Sequence, residues 1–275
     1  MPELPEVETV RRALEPHLTG ARVEKVWTSG LPLRLARPLD VRRLRAASVG
    51  QRLIALRRAA KYLLIETSSG DTLVVHLGMT GRLRVVPSTT RREPHTHVVW
   101  SLDGGRDLRF VDPRRFGMVA TVGDPAEMPE LAHLGVDPLG PELTANHLYD
   151  LVHATRRVVK VFLLDQRRIA GIGNIYASEA LFVAGIHPAT PANRLSRARV
   201  ETLRVGIITV LERGLRNRGT TLRDYVDADG LAGENQHALA VYGREGQACM
   251  RCEGRVRRLT HDARGTFYCP RCQSR

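Results

Sequence analysis

The sequence predicts an α+β protein in three parts: an N-terminal helix with a domain of short strands, a helical domain, and a small cysteine-bearing element at the C-terminus. Three observations carry that prediction. Short β-branched runs crowd residues 21–122, the hydrophobic period turns helical beyond residue 143, and all four cysteines fall as two pairs after residue 248.

The chain opens MPELPEVETVRR, with a proline behind the initiator Met and three acids, Glu3, Glu6 and Glu8, close behind it. Val7, Val10, Leu14 and Leu18 recur at helical spacing, with Pro5 near the start and Gly20 just past the end. The acids favour the positive end of such a helix. Removal of Met1 would equally leave Pro2 as a free secondary amine, and both readings stand at this point. Next, QRLIALRR, KYLLIET, DTLVVHL, RLRVV, HVVWSL, DLRFV and MVATV read as strands, with SSGD and DGGRD as hairpin connections. Seven or more neighbouring strands suggest a sandwich or a barrel, and the first domain is placed at 1–133. LGVDPLGPEL, residues 134–143, concentrates Pro and Gly and reads as a linker. LTANHLYDLVHA, VVKVFLLDQ, NIYASEALFVAG and SRARVETLRVGIITVLERGL then read as helices, giving a helical domain at 144–240. Its residues 219–240 read as a long polar loop, and 241–275 form the cysteine-bearing finger.

A formal net charge of +13 and a pI near 10.5 point to a polyanionic partner. A membrane surface is the rival partner, but no strongly basic amphipathic segment stands apart to serve it. No apolar run is long enough to span a bilayer and no signal-like leader opens the chain, so the cytosol is the default location. Only three of the 42 basic residues, Lys25, Lys61 and Lys160, are lysine. In so arginine-rich a chain a retained lysine is suggestive, because a point charge and a planar fork differ in use.

Cys249-x2-Cys252, sixteen residues, then Cys269-x2-Cys272 matches the four-cysteine zinc spacing. A closed set of four thiolates suits one structural Zn2+, with no open position for water. Two disulfides are the alternative, disfavoured in a reducing compartment. Seven arginines surround these cysteines against Glu253 and Asp262, a balance suited to phosphate contact. In AGIGNIYASEALF, two glycines precede a helical run, which suits either a phosphate at the helix start or tight helix packing. HLGMTGRL offers His76 and Met79; DPRRFG offers Arg114, Arg115 and Phe116. Such side chains can wedge or stack where a base has left the duplex, although Met79 and Phe116 read equally well as core.

Together these segments resemble the bacterial formamidopyrimidine-DNA glycosylases. PELPEVETVRR, KYLLIE, HLGMTGRL, DPRRFG, LLDQRRIAGIGNIYASEALFVAGIHP, GTTLRDYV and RGTFYCPRCQ occur in that family's order across nearly the whole chain. The resemblance implies an N-terminal helix with a β-sandwich, a helix–two-turn–helix in the helical domain, a zinc-ribbon hairpin as the finger, and a bifunctional glycosylase and abasic-site lyase acting on oxidised purines. It implies Pro2 as nucleophile, Glu3 as catalytic carboxylate and Glu6 as a supporting acid, with Lys61 and Arg264 near DNA phosphate. His76, Lys160, Asn174 and Arg264 match phosphate-binding positions, with Arg115 in the same DNA-contact set. Met79, Arg114 and Phe116 match residues that fill the space of the extruded nucleotide, and Thr220, Thr221, Arg223 and Tyr242 match the lesion-recognition loop. The implied partner is double-stranded DNA bearing oxidised bases or abasic sites, met by a monomer in the cytoplasm and its nucleoid. Some positions depart from the pattern. Arg218 stands where a glycine commonly precedes GTT, ENQHAL replaces a stretch that commonly carries an aromatic, Glu253 interrupts the usual Cys-Gly, and Ser178 stands where an acid is common. Two other functions remain: an endonuclease VIII-type glycosylase for oxidised pyrimidines, against which PEL and HLGMTG argue, and a non-catalytic zinc-ribbon protein that binds damaged DNA.

Overall fold

The computed structural model describes residues 2–33, 38–222, 225–228 and 230–274. The chain divides into two compact units, Met1–His133 with Asn217–Glu234, and Leu134–Arg216 with Asn235–Arg275.

In the first unit, helix α1 (Leu4–Leu18) carries Pro5 in its first turn, where a backbone amide would lack a helical partner anyway. Its buried stripe runs through Val7, Val10, Leu14 and Leu18. Two antiparallel four-stranded sheets follow. One is ordered β1 (Val23–Thr28), β6 (Thr96–Leu102), β7 (Arg106–Val111), β5 (Arg82–Pro87). The other is ordered β2 (Leu53–Ala59), β3 (Tyr62–Thr67), β4 (Thr72–His76), β8 (Met118–Val122). Alternate residues from both, among them Leu63 and Ile65, Leu73 and Val75, Trp100, and Phe110, meet the α1 stripe in one core. One apolar layer between two sheets makes this a sandwich. Outside the second sheet, Val74 and Met118 are covered by Met128 and by Leu131 of the short helix α3 (Pro129–Ala132). That is why β4 reads as a continuous apolar run.

Helix α2 (Val41–Ser48) lies within the strand-rich region and is missed by periodicity, since only Leu44 and Ala47 enter the core. Asp40 starts it, its carboxylate accepting from Arg43 N at 2.9 Å. Helix α1 is clamped to the sheet by Arg58 of β2, which reaches Glu8 at 3.2 Å. Burial alone would raise the Glu8 pKa. Hydrogen bonds from Arg11 and Arg12, with the charges of Arg11 and Arg58, outweigh it and hold the carboxyl below its ordinary range.

The second unit contains α4 (Ala145–His153), α5 (Val159–Leu164), α6 (Asn174–Val183), α7 (Arg197–Arg216) and the hairpin β9 (Arg257–His261) and β10 (Arg264–Tyr268). Helix α6 is buried all round from Ile175 to Phe182, whereas α7 buries only a stripe through Val200, Leu203, Ile207 and Val210. The Gln166 side chain organises the double turn between α5 and α6. Its Nε2 donates to Ile172 O at 2.7 Å and its Oε1 accepts from Gly171 N at 2.8 Å.

The boundaries differ from the sequence reading in three places. Residues 134–143, expected as a linker, are built into the second unit: Gly135 N donates to Gln166 O at 2.8 Å and Ala170 N to Val136 O at 2.9 Å. Gly135 serves close approach rather than flexibility, since an added Cβ would collide with the Arg168 backbone. Residues 217–234, expected with the helices, instead join the first unit, and the cysteine finger joins the helices.

Candidate functional site

Pro2 and Glu3 precede the first turn of α1 and are both buried. One turn on, Glu6 is 1% exposed and folds back towards them. Its Oε2 accepts from Glu3 N at 2.8 Å while its Oε1 accepts from Thr220 N at 2.7 Å. One carboxylate therefore ties the N-terminal segment to residues 217–234. Gly219 allows the approach, with φ +84° and Glu6 Cγ 2.9 Å from where a Cβ would stand. Tyr225 Oη donates to Glu6 O at 3.2 Å. Burial, then the Glu6 charge, push its phenol pKa far up, so it stays protonated.

Lys61 occupies the tight β2–β3 turn after Ala60, whose φ is 54°. The sequence reading put it on a strand; its register places it just off the end. His76 lies beside it, paired across the strands with Tyr62, ring centroids 4.8 Å apart. Burial, and after it the Lys61 charge, lower the His76 pKa to about 4, so the ring is neutral at pH 7. Its Nδ1 accepts from Gly78 N at 3.1 Å, which leaves the ring proton on Nε2.

The loops after β4 and β7 are locked together by Asp112, which the residue pattern alone does not single out. Its Oδ1 accepts from Thr80 Oγ1 at 2.5 Å, and its Oδ2 accepts from Gly117 N at 2.7 Å. Thr80 Oγ1 in turn accepts from Arg114 N at 3.2 Å. Gly78 lies against Phe116, where a Cβ would collide with the Phe116 backbone. The lock gathers Met79, Arg114 and Phe116. Arg114 stacks over the Phe116 ring at 4.6 Å, and Met79 is 40% exposed, which removes the core reading for it. Arg115 is half-buried and donates from Nη1 to Pro32 O at 3.5 Å.

In the second unit, Asn174 opens α6 and its Nδ2 donates to Gly265 O at 2.9 Å, joining the helix start to β10. Arg264 is exposed at the hairpin tip. The four cysteine sulfurs lie within 4.8 Å of one another and form no disulfide. Arg251 N and Gly254 N each point at a sulfur at 3.4 Å, as expected for thiolates. Four converging thiolates with amide donors fit one tetrahedral zinc ion.

Family models for the formamidopyrimidine-DNA glycosylase N-terminal domain, the H2TH domain of the same enzymes, and the zinc finger found in FPG and IleRS match residues 1–119, 134–226 and 246–275. The chain is 46% identical to the formamidopyrimidine-DNA glycosylase of Stutzerimonas stutzeri, over 99% of this chain and 100% of that one. This chain belongs to the formamidopyrimidine-DNA glycosylase family. The enzyme from Xanthomonas campestris pv. campestris is 44% identical over 99% of this chain and 100% of its own. Among solved structures, MutM (Fpg) from Thermus thermophilus aligns with TM-score 0.88 and 40% identity, covering 99% of this chain and 98% of that one. Lactococcus lactis Fpg bound to DNA containing an abasic site aligns with TM-score 0.90 and 30% identity, covering 99% and 100%.

Within this glycosylase fold, three expected site residues remain. Lys160, expected at phosphate, is fully buried, its Nζ donating to Asn174 O at 2.9 Å and Ser178 Oγ at 2.7 Å. It supports the turn that presents Asn174. Tyr242, expected in the lesion loop, belongs to the second unit, edge-on to Phe267 at 5.0 Å. Arg223 lies outside the described residues. The sequence reading also missed Glu179. This fully buried carboxylate of α6 accepts from Ala240 N, Val241 N and Tyr242 N at 2.8–2.9 Å and pairs with Arg213 at 3.0 Å. It anchors the entry to the zinc finger on the same helix that presents Asn174.

Proposed function

We propose that this glycosylase extrudes an oxidised purine, 8-oxoguanine or a formamidopyrimidine, from duplex DNA, displaces it by attack of Pro2, and cleaves the strand through the iminium that follows. In this reading Met1 is absent from the working enzyme. The neutral secondary amine of Pro2 attacks C1′; the new C–N bond forms as the glycosidic bond breaks and the base leaves with a proton. Glu3 then protonates the ring oxygen as the sugar opens to an iminium. The iminium is the electron sink that lets a C2′ proton and the 3′ phosphate depart, and then the 5′ phosphate; water releases the remnant from Pro2. An N-terminal amine titrates near about 8, so a useful fraction is neutral at physiological pH.

The observation that carries this reading is the Glu6 carboxylate, which holds Glu3 beside Pro2 while engaging Thr220. Lys61, His76, Asn174 and Arg264 take phosphates. Met79, Arg114 and Phe116 fill the vacated stack, repaying part of the cost of extrusion. One zinc ion, held by the four cysteines, keeps the finger folded and takes no part in the chemistry. The enzyme works as a monomer on chromosomal DNA in the bacterial cytoplasm.

With an 8-oxoguanine duplex, borohydride is expected to trap a covalent protein–DNA adduct, and 8-oxoguanine is expected to be released faster than thymine glycol. Full-rate cutting without an adduct by protein that keeps Met1 would overturn the iminium. Preference for thymine glycol would indicate endonuclease VIII-type specificity, and binding without cleavage a damage-binding protein.

A further inference from the structure

We propose that Arg218 is a positioning residue for base excision, acting through its ion pair with Asp227 to fix the stem of residues 217–234 against Glu6. The proposal rests on the excision reading above and adds a component peculiar to this chain.

The stem closes where Glu234 N donates to Asn217 O at 2.8 Å, directly after α7. The next two residues, Arg218 and Gly219, are both left-handed, with φ 56° and 84°. Glycine adopts that conformation freely; an arginine there crowds its own carbonyl, so something else must hold it. The side chain supplies the reason. Arg218 Nη2 donates to Asp227 Oδ2, and Asp227 is 1% exposed. A carboxylate so buried needs charge and hydrogen bonds around it. Its Oδ1 accepts from Leu231 N at 2.9 Å, and its backbone N donates to Leu231 O at 2.9 Å. Asp227 thus shapes the turn at Leu231, and Arg218 ties that turn to the outgoing limb of the stem.

The two sides of the stem touch. An added Cβ on Gly233 would collide with Gly219 O, and Gly233 N donates to Thr221 Oγ1 at 2.9 Å. Between these contacts sits Thr220, whose amide meets Glu6. The chain of contact runs from the ion pair, through the stem and Thr220, to the carboxylate that also holds Glu3. Where a glycine is common in the family, this chain has added a side chain that stiffens the stem. The pair therefore acts on the chemical step, whereas the residues proposed to grip phosphate lie outside residues 217–234.

The test is a double-mutant cycle read in two quantities, the single-turnover rate of 8-oxoguanine release and the Kd for an uncleavable abasic-analogue duplex. Arg218→Gly keeps the backbone conformation; Asp227→Asn keeps an acceptor for Leu231 N. Each is expected to slow release by about fivefold with Kd within about twofold of wild type, and the double variant to be no slower than either single. Arg218→Lys should restore part of the rate. Single variants at the wild-type rate, additive losses in the double variant, or a Kd that rises in step with the rate loss would each overturn the proposal. Wild-type protein that releases no base would overturn the excision reading itself.

Discussion

His76 sits where two neighbours oppose its protonation, a low-dielectric wall and the Lys61 ammonium. The unfolded chain, with an ordinary histidine near pH 6.5, takes up a proton that the folded chain refuses down to about pH 4. The stability His76 gives the fold is therefore complete above pH 6.5 and is lost as the pH falls towards 4, by at most about 3 kcal/mol. Urea unfolding between about pH 4 and 7 is expected to show this slope in the wild type and a flatter one in His76→Asn, which keeps an acceptor for Gly78 N. Single residues were unevenly legible. The resemblance found the exposed groups Met79, Arg114 and Arg264, but not Asp112 or Glu179 as organisers. A buried carboxylate looks like any surface acid until its donors arrive, and those of Glu179 lie 34 to 63 residues further along the chain.

At the scale of elements, the β9–β10 hairpin turns through Asp262 and Ala263, both left-handed at φ 46° and 59°. Such a turn prefers Asn-Gly, and alanine at its second position carries a Cβ penalty. Ala263→Gly is expected to stabilise the zinc-loaded protein by about 0.5–1 kcal/mol, read as a raised Tm of the finger, while leaving Arg264 exposed at the tip. The seven strands foreseen from β-branched runs and the four main helices were legible because most meet a core on one face, while β4 and α6 are buried on every side. Helix α2 was not, since only two of its eight residues, Leu44 and Ala47, are apolar and inward, too few to set a hydrophobic period. The segment at 134–143 misled for a different reason. Proline and glycine mark both a loose connection and a close backbone contact, and only the bonds to Gln166 and Ala170 distinguish them.

The whole molecule carries +13 charges on two units, and its zinc finger belongs with the helices. Removing zinc with a strong chelator is expected to melt the finger, abolish duplex binding and leave the sandwich unit folded, checked by binding assay beside far-ultraviolet circular dichroism. Unchanged binding would take the finger out of the interface. One of the three lysines shows why it survives among so many arginines. Lys160 ends in a sealed slot, its nitrogen wedged between a peptide oxygen and a hydroxyl of one helix turn. A guanidinium is broader and flat, with five hydrogens to satisfy where the slot offers room for a tapering tip. Any mutational drift that swaps one cation for the other must halt at that spot, because shape, and not charge, decides which of them can be housed there.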